Sequence, residues 1–355
     1  MIKRDDLHYT TRKIDGYNMP FNFIISEREA GKSTAVWLDK AYKAFKEKKY
    51  TTLVIRRKVV HITKSYIDDI CKIINKFTDD KVTFKYALST LKEGIVDINI
   101  EGDPFLRIAA LSVDITALKS LVLLNLDCIV FDEFICNPKF GEKYLKNEAY
   151  KFLEVYNTFR RECVGTLKCY FLGNPYSLYN PYFVHFNVPT AQLKPNTIVS
   201  DGKSYVVECY QICPELKAKI LAENPLYQFE NAYTAYAFNG LNVNDQNIII
   251  LKTIPIGYQL KYIFKIQGKY IGIHQNQFYI DNDNKYYVKF LDSDTISKRR
   301  DIYAFDFDEL VNHTIMLSRD EKYKFEKIKI AMRRRNIAFQ SIECYYLTEE
   351  IYFNL

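Results

Sequence analysis

The tripeptide Gly-Lys-Ser at residues 31–33 could bind phosphate, because glycine permits a tight turn, lysine neutralises phosphate oxygens and serine can hold Mg²⁺. The surrounding stretch, "IISEREAGKST", departs from the usual phosphate-binding loop (P-loop) at its first glycine position, which is Ser26. It also contains Glu27 and Glu29, whose charges disfavour a nearby triphosphate unless they point away or are paired. The tripeptide alone does not decide between a P-loop and an ordinary turn.

The segments on either side of this loop favour the P-loop. A P-loop follows a buried strand and opens a helix, so that the backbone N–H groups of the helix start face the phosphates. The run "FNFIIS" predicts a short strand over 21–26. Apolar residues then recur at helical spacing, with lysines on the opposite face, which predicts a helix over 32–47.

A second chemical signal lies at the end of the apolar run "DCIVFDEF", where Asp132 and Glu133 are adjacent. Ligands of open α/β sheets bind at the carboxyl ends of strands, so Asp132 is predicted to hold Mg²⁺. Glu133 is then placed to orient or deprotonate the attacking water, which is typical of hydrolysing P-loop enzymes. The next strand, "CYFLGNP", ends at Asn174, which could touch the γ-phosphate or simply form a Gly-Asn-Pro turn.

Composition limits the class of protein. The chain has 355 residues, of which 48% are hydrophobic, and it contains no apolar run long enough to cross a bilayer and no signal peptide. Its eight cysteines form no C-x-x-C pair and it has only five histidines, so reduced thiols are favoured over zinc ligation. These features predict a soluble intracellular protein. The net charge of +7 permits a nucleic-acid partner but does not require one.

The order of predicted elements indicates an α/β sheet followed by a different domain. Strands at 21–26 and 51–57 alternate with helices at 32–47 and 62–77, which predicts a mostly parallel sheet. Residues 82–110 predict a hairpin or meander near the sheet edge, after which a strand, a helix over 145–163 and another strand follow. The predicted domains are an ATPase domain (1–199), a helical linker (200–244) and a C-terminal domain of meander and helices (245–355).

Four segments carry a family resemblance: "FNFIISEREAGKS", "IVFDEF", "NTFRRE" and "GNPYSLYNPYFVHFN". Together they resemble the DNA-encapsidation ATPases of small protein-primed tailed phages, which are related to the large terminases. The likeness covers most of residues 20–190. P-loops of that family commonly carry a central arginine and tolerate a variable first glycine, so Arg28 and Ser26 both fit.

The resemblance implies a role for individual residues. Lys32 would contact the β- and γ-phosphates, and Asn174 would couple hydrolysis to motion. Arg160 matches the family's arginine finger, and Lys119 matches a basic residue that reaches a neighbouring subunit's nucleotide. The residues predicted to be catalytic are Glu133, Arg160 and Lys32; those predicted to bind ATP are Ser26, Arg28, Ala30, Gly31, Lys32, Ser33, Thr34, Lys119 and Asn174; and those predicted to hold Mg²⁺ are Ser33 and Asp132.

Several charged residues keep an alternative interpretation. Arg160, Arg161 and Lys119 could equally be solvated or structural helix charges. Lys58 is displaced by about one residue from the family's basic position, which leaves its role open. The roles of Glu27 and Glu29 are also open.

The resemblance also predicts the fold of both domains. The first would be a P-loop NTPase of the additional-strand, catalytic-glutamate type, with a mostly parallel sheet. The second would be a smaller mixed α/β domain resembling an RNase H-like nuclease. Its predicted opening strands carry no acid, and the later acids Asp281, Asp283, Asp292 and Asp294 sit among turn-forming residues. Nuclease activity is therefore not expected. Recurring lysines at 261, 265, 269, 285 and 289 and arginines at 333–335 favour nucleic-acid binding, and the isolated segment from about 245 to 355 is expected to fold.

The function implied is an ATP-driven motor that moves double-stranded DNA into a preformed capsid, with ATP and Mg²⁺ bound at subunit interfaces. Its partners would be the DNA, the capsid portal or connector (through a structural RNA in part of the family) and further copies of the chain, in a pentameric ring. It would act in the host-cell cytoplasm and transiently at the portal vertex, would be absent from the mature virion, and would have no membrane partner. Two alternatives stay open, a P-loop ATPase of helicase or partition type and a nucleotide-gated binding switch. A helicase predicts a second RecA-like domain, and a switch does not need Glu133.

Overall fold

The protein is described from a computed structural model, in which the chain divides into two compact units, Met1–Val243 and Asn244–Leu355. The structure describes residues 5–119, 125–137, 142–161, 163, 166–178, 180–224, 248–266, 268–278, 284–292, 295–296, 301–305, 314–317, 321–334 and 336–354. Residues 306–313, in the part of the C-terminal domain for which helices were predicted, and much of the predicted linker lie outside these residues.

The loop that contains Gly31, Lys32 and Ser33 lies between a buried strand and a long helix. Strand β1 (Phe21–Ser26) is buried at every residue, as expected for a central strand of a parallel sheet. Helix α2 begins with Lys32–Val36, continues through a π-helical segment, Trp37–Tyr42, and ends with Lys43–Lys48. Its end is set by Lys49, whose left-handed φ of 53° stops the helix. The predicted strand and helix are therefore present.

Most remaining elements of this unit form a sheet flanked by helices. The strands are β2 (Thr51–Arg56), β3 (Phe84–Lys85), β4 (Ile95–Ile100), β5 (Asp103–Ala110), β6 (Leu126–Asp132), β7 (Lys168–Gly173), β8 (Thr197–Ser200) and β9 (Tyr205–Tyr210). The helices are α1 (Arg12–Asp15), α3 (Lys64–Phe77), α4 (Ile115–Lys119), α5 (Glu148–Arg160), α6 (Pro181–His185) and α7 (Pro214–Glu223), with short 3₁₀ turns at Val59–His61, Leu88–Lys92 and Thr190–Gln192.

The sheet of the first unit is mostly parallel. Among the described residues the strand order is β3-β4-β5-β2-β6-β7-β1-β9-β8. The six strands from β5 to β9 in this order pair in parallel, and β3, β4 and β8 add antiparallel strands at the two edges. The predicted α/β fold is confirmed. The carboxyl ends of β1, β6 and β7 consequently meet at one edge of the sheet.

One region agrees with the sequence predictions and one differs. Residues 82–110 form the predicted meander at the sheet edge, because β3, β4 and β5 pair antiparallel in that order, and β5 joins the meander to the main sheet by pairing in parallel with β2. The region from 200 was predicted to be a helical linker, but β9 pairs in parallel with β1 along its whole length. The short run "YVVECY" forms β9, and the helical pattern that follows it in the sequence led to the prediction of a helical region instead. A domain boundary at 199 would therefore remove a neighbour of the P-loop strand.

Helices cover both faces of this sheet. Alternate side chains of β1 point to opposite faces, so Phe23 and Ile25 enter one core and Ile24 the other. Helix α5 packs on the first face through residues such as Phe152 and Phe159, which are fully buried. Helices α2 and α3 pack on the second face. Each helix position is thus fixed by apolar burial on one side of the sheet.

The second unit contains its own sheet. Its strands are β10 (Ile249–Ile250), β11 (Tyr258–Ile266), β12 (Lys269–Asn276), β13 (Tyr286–Phe290), β14 (Ile302–Ala304), β15 (Thr314–Met316) and β16 (Ile337–Phe339). Its helical elements are a 3₁₀ turn (Glu321–Phe325), α8 (Glu326–Arg334) and α9 (Ile342–Asn354).

The strand order of this second sheet, within the described residues, is β10-β16-β13-β12-β11-β14-β15. Strands β11, β12 and β13 are antiparallel, as the predicted meander requires. Strand β14 pairs in parallel with β11, and β15 pairs in parallel with β14. Three antiparallel strands followed by two parallel ones is the RNase H-like order. In the described part of the chain, no helix is long and apolar enough to cross a membrane.

Candidate functional site

The P-loop places Lys32 at the edge where three strands end. Gly31 precedes α2 with a left-handed φ of 85°, a conformation that favours glycine and turns the backbone into the helix. Lys32 Nζ donates to Asn174 Oδ1 at 2.7 Å and lies 3.4 Å from the backbone oxygen of Ser26. Asn174 directly follows β7. The predicted lysine and the predicted amide are therefore in contact, at the carboxyl ends of adjacent strands β1 and β7.

The two glutamates of the loop have different surroundings. The Glu27 side chain is fully buried, and its Oε2 accepts a hydrogen bond from the backbone N–H of Ile212 at 2.9 Å, just after β9. Burial raises the pKa of Glu27, and this hydrogen bond partly opposes the rise. Glu29 is exposed and has a left-handed φ of 62°. One carboxylate is thus paired inside the protein and the other faces solvent.

The rest of the loop is held from both sides. Ala30 accepts a backbone hydrogen bond from Tyr9 at 2.9 Å, and Arg28 donates to the Tyr176 hydroxyl at 3.0 Å. A Cβ added at Gly31 would lie 3.2 Å from the His8 side chain, so the N-terminal segment lies close over this turn. These contacts fix the loop in position before any ligand binds.

The acidic pair at the end of β6 is bound by an arginine that the sequence predictions did not include. Arg56, the last residue of β2, donates to Asp132 Oδ2 at 2.9 Å and to Glu133 Oε2 at 2.6 Å. The Tyr66 hydroxyl also donates to Asp132 Oδ2, at 3.0 Å, and the Arg56 guanidinium lies 4.5 Å from the centre of the Tyr66 ring. The neighbouring Lys58, whose role was open, makes no hydrogen bond to either acid.

Their surroundings give the two acids different tendencies to ionise. Burial raises the pKa of Asp132, although Arg56 opposes the rise. Burial also disfavours the charged form of Glu133, but attraction to Arg56 and the hydrogen bond from it outweigh that cost, so the pKa of Glu133 lies below its usual range. The Glu133 side chain is 57% exposed and that of Asp132 only 11%. Glu133 is therefore ionised at neutral pH and accessible to water, as a general base requires.

The residues predicted to hold Mg²⁺ fit that cation. Mg²⁺ binds proteins through one or two carboxylates or hydroxyls and takes its other oxygens from phosphates and water. Ser33 opens α2 and Asp132 ends β6, and within the described residues the Asp132 Oδ1 atom accepts no hydrogen bond. This oxygen donor set is therefore available to a hard cation placed between a bound phosphate and the acidic strand.

A second arginine supports the turn that carries Glu133. Arg57 donates to the backbone oxygens of Glu133 at 3.0 Å and Phe134 at 2.6 Å, and its Nε donates to Glu148 Oε2 at 2.9 Å. Arg57 is 2% exposed and Glu148 is fully buried. Removing one partner of such a pair typically costs about 3–5 kcal/mol, because the other charge stays buried. Sequence reasoning missed this pair too. The sequence feature that could have indicated the pair is "TTLVIRR", an apolar strand that ends in two arginines.

Arg160 and Lys119 lie away from this cluster in the same chain. Arg160 ends α5, whose first residue, Glu148, contacts Arg57 beside the acidic turn. A helix of this length spans about 18 Å between its first and last residues, so Arg160 lies near the opposite edge of the sheet. Cys163, shortly after it, accordingly donates to the backbone oxygen of Leu126 at the start of β6.

Lys119 ends α4 and donates to Glu154 on α5 at 2.8 Å. Both side chains are partly exposed, so this pair contributes little to stability. The described contacts thus form two groups: Lys32 contacts Asn174, and Arg56 joins Asp132 to Glu133. They leave the two basic residues on the outer face of α4 and α5.

Lys32 gives a prediction on pH dependence. Burial lowers the pKa of Lys32 to about 8, although Asp132 and Glu133 favour its charged form. A phosphate ligand binds the ammonium form, so affinity is expected to be constant below this pKa and to fall about tenfold per pH unit above it. The dissociation constant of a non-hydrolysable ATP analogue, measured from about pH 6.5 to 9.5, tests this pH dependence.

Lys32→Arg is the control, because its guanidinium stays charged over this range and the fall in affinity should be absent. An equal fall in both proteins would contradict the assignment of the pH dependence to Lys32.

Comparisons with known proteins support one family. The family profile described as "Podovirus DNA encapsidation protein (Gp16)" matches residues 3–355. The chain is 25% identical over 334 residues to the "DNA packaging protein" of Bacillus phage PZA, a match covering 92% of this chain and 90% of that protein. The corresponding protein of Bacillus phage phi29 gives the same values of 25% over 334 residues.

Two solved structures have a similar fold. "The Phi-28 gp11 DNA packaging Motor" has a TM-score of 0.65 at 16% identity, covering 98% of this chain and 97% of that chain. "The bacteriophage Phi-29 viral genome packaging motor assembly" has a TM-score of 0.62 at 20% identity, covering 98% of this chain and 99% of that chain. Both similarities extend over both units.

Proposed function

This chain belongs to the podovirus DNA encapsidation protein (Gp16) family, and on that premise we propose that it is an ATP-driven motor that moves double-stranded viral DNA into a preformed capsid. The observation that carries the proposal is the extent of the match, residues 3–355, because it includes both units and not the nucleotide core alone. A helicase or partition ATPase would share only that core. The relatives named above are themselves DNA packaging proteins.

In the proposed reaction each residue acts on ATP from a fixed element. Lys32 contacts the β- and γ-phosphates from the start of α2, with the N–H groups of the P-loop, and Ser33 and Asp132 hold Mg²⁺. Mg²⁺ supplies positive charge to the phosphate oxygens when it is bound. Glu133 takes a proton from the attacking water. Asn174 leaves Lys32 when phosphate replaces it as the partner of the ammonium group.

Arg56 holds both acids of this turn. It donates to Asp132 Oδ2 and to Glu133 Oε2, so within the described residues Asp132 Oδ1 is left for a cation while Arg56 orients the carboxylate of Glu133. We propose that Ser33 and Asp132 would hold Mg²⁺ with Arg56 still in place. Tyr66 keeps its ring beside the guanidinium and limits how far Arg56 can move.

The proposed oligomer is a ring, pentameric by family resemblance, in which Arg160 and Lys119 act on a neighbour's ATP. The geometry that supports this is the position of Arg160 near the far edge of its own sheet, about 18 Å along α5 from Glu148. An exposed guanidinium there can approach a phosphate only on another chain. The ring would act in the host-cell cytoplasm at the portal vertex, with docking through a structural RNA in part of the family.

The decisive experiment is packaging itself. The purified chain is mixed with procapsids, double-stranded DNA and ATP, and packaged DNA is measured as the fraction that survives added nuclease. We expect ATP-dependent protection and ATPase turnover that rises when DNA and procapsids are both present. Lys32→Ala should remove both signals and keep a normal melting curve. If ATPase turnover is the same with and without DNA and procapsids, and no DNA is protected from nuclease, a different P-loop ATPase would be favoured.

We also propose that the second unit contacts nucleic acid without cutting it. Strands β11 and β12 contain no Asp or Glu, whereas a nuclease of this fold needs carboxylates on its central strands. On the face away from α8 and α9, Lys265 lies 5.9 Å from the Tyr270 ring centre. Lys289 is opposite Gly272 on the next strand. Basic and aromatic groups of this kind suit phosphate and base contacts of any sequence.

This proposal predicts no cleavage by the full-length protein. Supercoiled DNA incubated with the protein and Mg²⁺ or Mn²⁺ is expected to stay intact, while binding to DNA weakens as salt is raised. Asp281, Asp283 and Asp294 lie outside the described residues, so these are the acids to test. Metal-dependent nicking that disappears in Asp281→Asn or Asp283→Asn would contradict the prediction and place the protein with the terminases that cut DNA.

A further inference from the structure

We infer that the buried pair Arg57–Glu148 positions two groups in different active sites, Glu133 in its own chain and Arg160 for the neighbouring chain. The inference rests on the proposed function, because it takes Arg160 to act in trans. Arg57 and Glu148 touch no reacting atom, so both are positioning residues. Neither was among the predicted site residues.

The first half of the inference rests on the backbone of the acidic turn. Glu133 has a left-handed φ of 61°, which is unfavourable for a residue with a side chain and persists only where neighbours enforce it. Arg57 donates to the backbone oxygens of Glu133 and Phe134, and the Phe134 N–H donates to Leu172 on β7 at 3.1 Å. The turn is therefore clamped on both sides. The backbone conformation of this turn therefore sets the direction of the Glu133 side chain.

The second half rests on helix α5. Glu148 is its first residue and accepts from three groups: Arg57 Nε, the backbone N–H of Leu145 at 2.8 Å and the Tyr182 hydroxyl at 3.1 Å. Phe152 and Phe159 hold the helix against the sheet along its length. A helix fixed at its first residue and packed along one side is a rigid element. The contacts of Glu148 therefore also set the position of Arg160 at the other end.

The pair thus links two sites of the ring. Arg57 fixes the two backbone oxygens of the acidic turn and Glu148 fixes Arg57, so the turn and the first residue of α5 keep one mutual position. Helix α5 in turn sets the position of Arg160 against the next subunit's phosphate. Hydrolysis in one chain would in this way depend on an intact pair in its neighbour.

Arg57→Lys is the test variant. It keeps a positive charge beside Glu148, but an ammonium group cannot reproduce the planar fork that reaches three acceptors at once. Arg107→Lys on β5 is the matched control, because Arg107 pairs with exposed Asp97 on the same sheet. In Arg57→Lys we expect kcat to fall roughly tenfold or more with KM for ATP unchanged, since only orientation is lost. Arg107→Lys should keep both values.

The effect on the neighbour is measured in mixed rings. Acceptor chains carry Arg160→Ala, so each hydrolyses ATP only beside a donor with an intact Arg160. Donor chains carry Lys32→Ala, so they cannot hydrolyse ATP themselves. We expect donors that also carry Arg57→Lys to rescue acceptors roughly tenfold less well than donors with Lys32→Ala alone or with Arg107→Lys added. If Arg57→Lys fails to fold, Tyr182→Phe, which removes one hydrogen bond to Glu148, replaces it in both assays.

The outcomes separate the two hypotheses. Loss of both kcat and donor function supports the inference. Full donor function by Arg57→Lys or Tyr182→Phe chains, when Lys32→Ala donors do rescue, overturns the link to Arg160 and leaves the proposed trans arrangement intact. Failure of Lys32→Ala donors to rescue, in rings shown to be mixed, overturns the trans arrangement itself and the inference with it. An unchanged kcat in the variant used overturns the positioning of Glu133.

Discussion

Glu133→Gln is expected to keep ATP binding close to that of the unchanged protein while lowering hydrolysis by about 10²–10⁴-fold. The substitution preserves the size of the side chain and one acceptor oxygen, which Arg56 can still reach, but removes the carboxylate that can accept a proton from water. Arg56 loses one of its two charged partners and keeps Asp132 at 2.9 Å. Binding should therefore persist, because Lys32 and the P-loop are unchanged. Equilibrium binding of ATP and single-turnover hydrolysis measure the two steps separately.

Glu29→Gln is the matched control for this prediction. Glu29 lies in the P-loop itself, is exposed and loses the same charge, but it is not placed to activate water. Its hydrolysis rate should stay near that of the unchanged protein. If Glu133→Gln instead abolished ATP binding with a normal melting curve, Glu133 would have a structural role, and the general base would have to be sought elsewhere.

Arg160→Ala is expected to lower hydrolysis in a homogeneous ring by about 10³–10⁵-fold, the usual contribution of an arginine finger to phosphoryl transfer. Mixing these chains with Lys32→Ala chains should restore part of the activity. Each Arg160→Ala site is then completed by a guanidinium from a Lys32→Ala neighbour. The measurement is ATPase turnover as a function of mixing ratio, with DNA and procapsids present.

Arg161→Ala is the control, because Arg161 is the adjacent exposed arginine and follows the end of α5. It should change turnover little. Comparable loss in both variants would indicate that the two arginines share one role. Absence of rescue in rings shown to contain both chains would contradict the trans role and leave Arg160 a surface charge of α5.

The parts of the site that sequence predicted are local along the chain. A glycine, a lysine and a serine between a strand and a helix define the P-loop, and two acids after an apolar run define the end of β6. Each follows from a few neighbouring residues. Parallel strands place their carboxyl ends at one edge, so the residues that follow β1, β6 and β7 were expected there, although the contact of Lys32 with Asn174 was not itself predicted.

The parts that sequence did not predict depend on contacts between distant residues. Arg56 lies within the expected strand 51–57, yet nothing local shows that its guanidinium reaches across to Asp132 and Glu133 at the end of β6. Glu148 lies in the expected helix 145–163, and only its burial against Arg57 shows that it holds this arginine. Glu27 looked unfavourable for phosphate binding because its partner, the N–H of Ile212, lies beyond an unpredicted strand.

The pairing of β1 between two late strands has a consequence for synthesis of the chain. Phe21 lies opposite Cys169 on β7 and Tyr205 on β9, so both neighbours of the P-loop strand leave the ribosome long after it does. Contacts this far apart in sequence form slowly, and until they form β1 presents unpaired N–H and C=O groups on an apolar strand. The backbone N–H of Ile212 that pairs buried Glu27 of the P-loop is likewise absent until the chain has passed β9. The growing polypeptide must therefore be protected from aggregation through more than half of its translation.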